Sequence, residues 1–229
     1  MDFKYLKKAA AGFDLVGVAD PFCAELQRAP NGHKPQDYLP GVKSVISLGV
    51  RVDPEILQTT PSSSYSHHYD ELNKKLNSGA KDIVLWLEQQ GYQSLAFPET
   101  DSYTILWEQY NRGDKAFVPC FNHLAVAVAA GLGKMGDCGV VLTPQYGPRQ
   151  RWVSVVTTAA FSFTASLKGE VCLERQGQIC GKCAAACPIK AISSKGTDVR
   201  RCWIRWTDLR KSGSACGQCI KACPAGTKE

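Results

Sequence analysis

Cys180-Gly181-Lys182-Cys183-Ala184-Ala185-Ala186-Cys187-Pro188 returns 36 residues later as Cys216-Gly217-Gln218-Cys219-Ile220-Lys221-Ala222-Cys223-Pro224, and this repeat fixes the reading of the C-terminal part. In each copy, a C-x2-C pair on a tight turn can bring two thiolates to one metal group. The glycines at 181 and 217 are expected to let the backbone approach that group. The cysteine before proline, three residues on, points the other way in the bacterial ferredoxin pattern and serves the neighbouring cluster. Each half then needs one more thiolate, and Cys172 and Cys202 are the nearby candidates. The reading is two [4Fe–4S] clusters, one on Cys172, Cys180, Cys183 and Cys223, the other on Cys187, Cys202, Cys216 and Cys219. The leading intervals, seven and thirteen residues, are longer than in the bacterial pattern, and loops of that length add little closure entropy. Zinc is the competing occupant of C-x2-C pairs, but zinc sites rarely carry C-x2-C-x3-C-P twice.

Eight of the eleven cysteines fall between Cys172 and Cys223, while Cys23, Cys120 and Cys138 are scattered before them. Such a concentration fits either disulfides or metal. The opening Met1-Asp2-Phe3-Lys4-Tyr5 has no apolar export segment, and no stretch approaches the roughly 20 apolar residues of a membrane span. A cytoplasmic location is therefore expected, where thiols stay reduced and metal is favoured. The net charge of +6 is modest. Arg200, Arg201, Arg205, Arg210 and Lys211 cluster between the cysteine groups, as a solvated face or as a dock for an acidic redox partner, a phosphate-bearing cofactor or RNA. Nucleic acid is not expected as a partner.

Outward from the cysteines, the chain before them alternates strand and helix signals. Leu6 to Ala11 reads as a short helix, Leu15 to Ala19 and Val42 to Val50 as strands, and Asp53 to Ser66 as a polar loop. From His67 to Gln90, Leu72, Leu76, Ile83 and Leu87 recur at a helical period, and Gly91 supplies a stop. Leu95 to Phe97 reads as a strand, and Glu99 to Val118 shows no clear period. Asn122 can cap a helix from His123 to Ala130, and Val140–Thr143 and Trp152–Thr158 read as strands. The fold class expected is α+β: a sandwich over residues 1–168, then a ferredoxin-like module over 169–229, with the boundary near Ser166 to Val171.

The segment from Ala130 through Gly131, Gly133, Lys134 and Gly136, followed by Leu142 to Arg149, resembles the epoxyqueuosine reductase and reductive dehalogenase superfamily. Gly12 to Ala19 and Val45 to Gly49 look like that superfamily's first two strands. The resemblance implies a nitroreductase-like sandwich holding a corrinoid, with the clusters feeding electrons to its cobalt. It implies cobalamin as cofactor, with FMN as the alternative because the sandwich also serves nitroreductases. Departures are visible. Phe117 stands where epoxyqueuosine reductases carry a proton-donating Asp, the nearest acids being Glu108 and Asp114. The tRNA-binding tail and the export signal of the two named enzymes are not expected, which suggests a cytosolic, tail-less relative.

Candidate proton donors are His123 and Tyr69. Gly131, Gly133, Lys134, Gly136 and Arg149 are the candidate corrinoid contacts. Bulky residues at Gly133 and Gly136 are therefore expected to abolish corrinoid binding with iron intact. The leading expectation is an iron–sulfur oxidoreductase that uses a corrinoid to reduce a small molecule or modified nucleoside, with a redox protein as electron donor. The alternatives are an electron-transfer or reductive-activator protein for a separate corrinoid enzyme, and a corrinoid-trafficking protein.

Overall fold

The computed structural model describes residues 1–99, 103–113 and 117–226. Helix α1 (Phe3–Ala9) starts on the Asp2 side chain, which accepts from Lys4 N, three residues before the expected start. Strand β1 (Leu15–Ala19) follows, then two one-turn helices, α2 (Ala24–Gln27) and α3 (Pro35–Tyr38), and strand β2 (Ser44–Arg51).

The stretch expected to be a loop contains helix α4 (Pro54–Gln58) and the first turn of α5 (Ser63–Gln89). The proline and serines read as breakers are start signals here. Asp53 caps the amides of Glu55 and Ile56 while Pro54 takes the first helical position, where its missing N–H costs nothing. Ser62 caps α5 through Tyr65 N. Strand β3 (Ser94–Ala96) and helix α6 (Tyr103–Asn111) come next. Helix α6 lies in the segment without a period, because aromatic contacts replace an apolar stripe. Trp107 and Tyr110 pack on Trp203 at 5.6 and 5.5 Å between ring centres.

Helix α7 (His123–Ala129) is capped by Asn122 through Ala125 N, as expected. Then come β4 (Lys134–Met135), β5 (Val141–Leu142) and the long β6 (Gln150–Thr157). The strands β1, β2, β6 and β3 form one sheet in that order, every pair antiparallel. Side chains alternate across it. Val18, Ile46, Leu48, Val50, Val153 and Val155 face α5, whose Leu72, Leu76, Ala80, Ile83 and Leu87 cover them. Val45 and Val156 face α7 and pack with Val126. The long helix thus buries one sheet face and α7 the other, giving a mixed α/β three-layer architecture. Among the described residues, no helix is long and apolar enough to cross a membrane.

The cysteine-rich end carries α8 (Lys182–Ala186), β7 (Ile192–Ser193), β8 (Gly196–Thr197), α9 (Val199–Lys211) and α10 (Gln218–Ala222). It is tied to the sheet layers at several points. Arg210 on α9 makes a two-pronged ion pair with Asp70 on α5, both oxygens at 2.9 Å. Thr60 Oγ1 accepts from Gly217 N at 2.8 Å and donates to Ala215 O at 3.1 Å.

Candidate functional site

The sequence repeat is a structural repeat. Helices α8 and α10 are each five residues long, begin right after Gly181 and Gly217, and pack against each other. Both end on a cysteine in extended conformation, Cys187 and Cys223, so the third cysteine of each motif turns away from its helix. The two glycines serve different needs. Gly181 adopts a left-handed conformation (φ 58°) with open space where a Cβ would stand. At Gly217 a Cβ would lie 2.8 Å from the Tyr65 ring, so close packing on α5 excludes a side chain.

Cys172, Cys180, Cys183 and Cys223 line one cavity together with Leu142, Ile192 and Ala225. This set draws thiols from both halves of the repeat. In the other set, Cys187 and Cys216 lie within electrostatic reach of Cys202, and Cys202 and Cys216 within reach of Cys219. Burial raises the thiols of Cys183, Cys219 and Cys223 above the ordinary thiol range. Bare thiolates are therefore costly here, and a donor set of this kind suits a cationic metal group that offsets their charge. Among the described residues, no three His, Cys, Asp or Glu side chains stand close enough to hold a single metal ion; a cube of iron and sulfide spreads its four thiolates wider than one ion does. Cys138, buried, lines the first cavity as a fifth sulfur, and burial pushes its thiol up to about 12.

A second cavity, a cleft of about 340 Å³, lies between α5, α7, β6 and α9. Tyr69, Glu99, His123, Arg151 and Trp206 line it, and so does Cys216. The Arg151 guanidinium stacks 3.7 Å from the Tyr69 ring centre, and the Trp206 ring centre stands 6.1 Å from that of Tyr69. Arg151 also donates to Asn73 Oδ1 at 2.6 Å. The two expected proton donors thus share one cleft, although they are 54 residues apart in sequence. They differ in availability. His123 Nε2 lies 2.8 Å from Pro98 O, a pure acceptor, so Nε2 carries the proton; Nδ1 then accepts from Ser154 Oγ at 2.9 Å. With both ring nitrogens so engaged, His123 braces α7 against β6 and the end of β3. Glu99 carries no motif that would single it out in the sequence.

No family model matches the chain. Tetrachloroethene reductive dehalogenases do: that of Desulfitobacterium hafniense is 29% identical over 158 residues, covering 66% of this chain and 24% of the enzyme. The protein of Dehalobacter restrictus matches to the same extent. The chain thus spans about a quarter of the length of these curated relatives. Among solved structures, epoxyqueuosine reductase from Streptococcus thermophilus superposes with a TM-score of 0.69 at 17% identity, over 99% of this chain and 65% of that one. A reductive dehalogenase, described as suggesting a mechanism for B12-dependent dehalogenation, superposes with a TM-score of 0.71 at 20% identity, over 98% and 32%. The chain is thus similar in sequence to reductive dehalogenases and in fold to reductive dehalogenases and epoxyqueuosine reductases.

From the superfamily-like stretch Ala130 to Arg149, Val140 and Pro148 line the cleft, but the candidate contacts Gly131, Gly133, Lys134, Gly136 and Arg149 do not. Gly131 is left-handed (φ 68°), and a Cβ there would meet Ala165 O at 2.0 Å. At Gly133 it would meet Leu142 O at 2.4 Å, and at Gly136 Leu142 Cδ1 at 2.3 Å. Lys134 is a half-buried β4 residue paired with Leu142. Gly133 and Gly136 thus let β4 lie on β5, and Gly131 lets the turn before β4 approach Ala165. Arg149 is buried and binds the carbonyls of Tyr146, Ala225 and Cys223.

This placement changes what a substitution should do. Leu142 packs under Gly133 and Gly136 and also walls the cavity of Cys172, Cys180, Cys183 and Cys223. Gly133→Ala is expected to cost about 1–3 kcal/mol by overpacking. It should lower the melting temperature by several degrees and reduce bound iron with it, where the sequence reading expected iron to stay intact. Thermal unfolding and iron analysis of the variant check this; unchanged values for both would show that β4 has room to move.

Proposed function

We propose that this chain is the cluster- and corrinoid-bearing part of a reductase. In this reading Cys172, Cys180, Cys183 and Cys223 hold one [4Fe–4S] cluster, and Cys187, Cys202, Cys216 and Cys219 hold the other. A cobalamin-type cofactor occupies the cleft of Tyr69 and His123. One observation carries the proposal: Cys216 belongs to the second cysteine set and also lines the cleft. A group in the cleft therefore lies against a cluster ligand, and the first set lies next to the second through the packed helices α8 and α10.

Bound there, a corrinoid would supply a strongly reducing cobalt centre. The chain's own residues do the rest. Tyr69, Trp206 and the stacked Arg151 offer flat apolar and cationic surface for a large planar ring. His123 fixes the wall, which leaves the Tyr69 phenol as the proton donor beside the cleft, with Glu99 as a second acid in the same wall. The enclosed volume sits at the low end of the roughly 300–1,000 Å³ of ordinary ligand pockets, so a corrinoid would be held partly at the open mouth. Behind the shared wall of Pro119, Phe121 and Asn122 lies a further cavity of about 240 Å³. We place residues 1–168 as the corrinoid domain, 169–229 as the cluster domain and the protein in the cytoplasm.

A second reading, an electron-transferring activator without its own substrate, is favoured by Phe117. It stands where epoxyqueuosine reductases carry their acid, and it packs edge-on against Trp203 at 5.2 Å without lining the cleft.

Anaerobic purification with metal and sulfide analysis tests the clusters, with about eight iron and eight sulfide per chain expected. Iron near half of that removes one site, and stoichiometric zinc removes both. Titration with cob(II)alamin, followed by absorbance, tests the cleft. Tyr69→Ala should weaken binding about tenfold with iron unchanged, the scale of one lost aromatic contact. FMN binding in place of cobalamin would substitute a flavin for the corrinoid, and binding of neither would favour the activator.

A further inference from the structure

The net charge of +6 is unevenly placed. Residues 1–165 carry −1 and residues 166–229 carry +7. The cysteine-rich end is thus a cationic body docked on a nearly neutral one, and it would remain cationic with two oxidised four-thiolate [4Fe–4S] clusters, which together contribute about −4.

The two cysteine sets face different ways. The second reaches the cleft through Cys216. The cavity of the first reaches the surface, because exposed Glu174, Gly181, Ser193 and Ser194 line it together with Cys180. Immediately before Cys180 stands Ile179, whose side chain is fully exposed at 103% of its reference area. An isolated exposed aliphatic needs no explanation, but this one directly precedes Cys180 of the first cysteine set. Exposed Lys182 follows Gly181 of the cavity lining, exposed Lys195 follows Ser194, and exposed Lys190 stands two residues before Ile192; none makes an ion pair among the described residues. Two acids, Glu174 and Asp137, line the same cavity. Glu174 Oε2 accepts from the amides of Cys180 and Gly181, each at 2.9 Å, and Asp137 pairs with Arg175 at 2.8 Å.

We propose that Ile179 with Lys182, Lys190 and Lys195 forms the docking surface for an acidic, low-potential, single-electron carrier protein, which delivers electrons to the cluster of Cys172, Cys180, Cys183 and Cys223. The proposal rests on the two-cluster reading. In each encounter the reduced carrier loses one electron and the oxidised cluster gains it; no proton or bond changes hands. Ile179 is the apolar centre and the lysines are the steering rim. That is the anatomy of a small transient interface, in which rim charges govern the association rate and its salt dependence. A basic face could also attract RNA, but an exposed apolar tip beside a cluster ligand fits an electron-delivering protein better than a phosphate backbone.

Stopped-flow reduction of the iron-loaded protein tests this, with reduced flavodoxin as the probe and titanium(III) citrate as a small reductant. In Lys182→Glu/Lys195→Glu, reduction by flavodoxin at low salt should slow at least about tenfold, within the range of electrostatic steering. Its salt dependence should flatten, and Ile179→Glu should slow it further. Iron content and the titanium rate should match the parent. A parent-like flavodoxin rate and salt slope in both variants overturns the proposal. So does an RNA stem–loop that binds the parent and not the lysine variant while carrier reduction is unaffected. Absent iron, or clusters that titanium cannot reduce in the parent, would defeat the two-cluster reading instead.

Discussion

Cys219→Ser is expected to halve the bound iron, from about eight atoms per chain to about four, and to lower thermal stability sharply. Cys219, half-buried on α10, packs against the hydrophobic cluster of Cys138, Leu142, Ile192 and Ala225, and burial raises its thiol. A serine there cannot give iron a soft thiolate. A three-thiolate site on short loops loses the free energy that metal binding contributes to folding. The effect should spread because α10 is not isolated: Ile220 packs onto the main core under α5, and the Gly217 amide is bound to Thr60. Iron analysis, the visible spectrum and thermal unfolding measure it. Full iron with an unchanged melting temperature would remove Cys219 from the ligand set.

Arg149→Gln should produce the second large loss, on the other cysteine set. The guanidinium donates to Ala225 O at 2.7 Å, Tyr146 O at 2.9 Å and Cys223 O at 2.5 Å. Three acceptors at one buried fork suit Arg and no other side chain. Each carbonyl left without a donor costs about 1–3 kcal/mol. The strain falls on the turn that presents Cys223, where Gly226 and Gly147 are already in close backbone contact. The expected result is loss of the cluster held through Cys223, with the other retained. Iron should therefore fall by about half while Cys202, Cys216 and Cys219 keep theirs. Arg149→Lys should recover part of the loss, since an ammonium reaches one or two of the three carbonyls. If Arg149→Gln kept all its iron and its stability, the fork would be dispensable, and a cofactor contact at Arg149 would regain interest.

How much of this was readable beforehand depends on the range of the interaction. The cysteine repeat was legible because ligand spacing is local. Two thiolates separated by two residues must lie on one turn, and copies 36 residues apart fold into matching five-residue helices. The strands β1, β2 and β6 and the helix α5 were legible for the same kind of reason: their apolar periods are properties of short segments. Pro54 and Ser62 misled because a breaker and a cap are the same residues seen from opposite sides of a helix start. Helix α6 stayed hidden because its stabilising contacts run to Trp203, about ninety residues away.

The site divides along the same line. The sequence by itself determined the cysteine repeat and its two halves, and its motif resemblance pointed to the superfamily. Only the tertiary structure decided what the glycine stretch and Arg149 do. It turned the first into backbone-to-backbone packing under Leu142 and the second into a clasp on the Cys223 turn. Only the tertiary structure joined Tyr69, Glu99, His123, Arg151, Trp206 and Cys216 around one cleft, from four regions of the chain. The physical reason is that a metal-binding turn is specified within a few residues of backbone. A cleft exists only where separate layers meet, so its wall is set by packing over distances that no local pattern records.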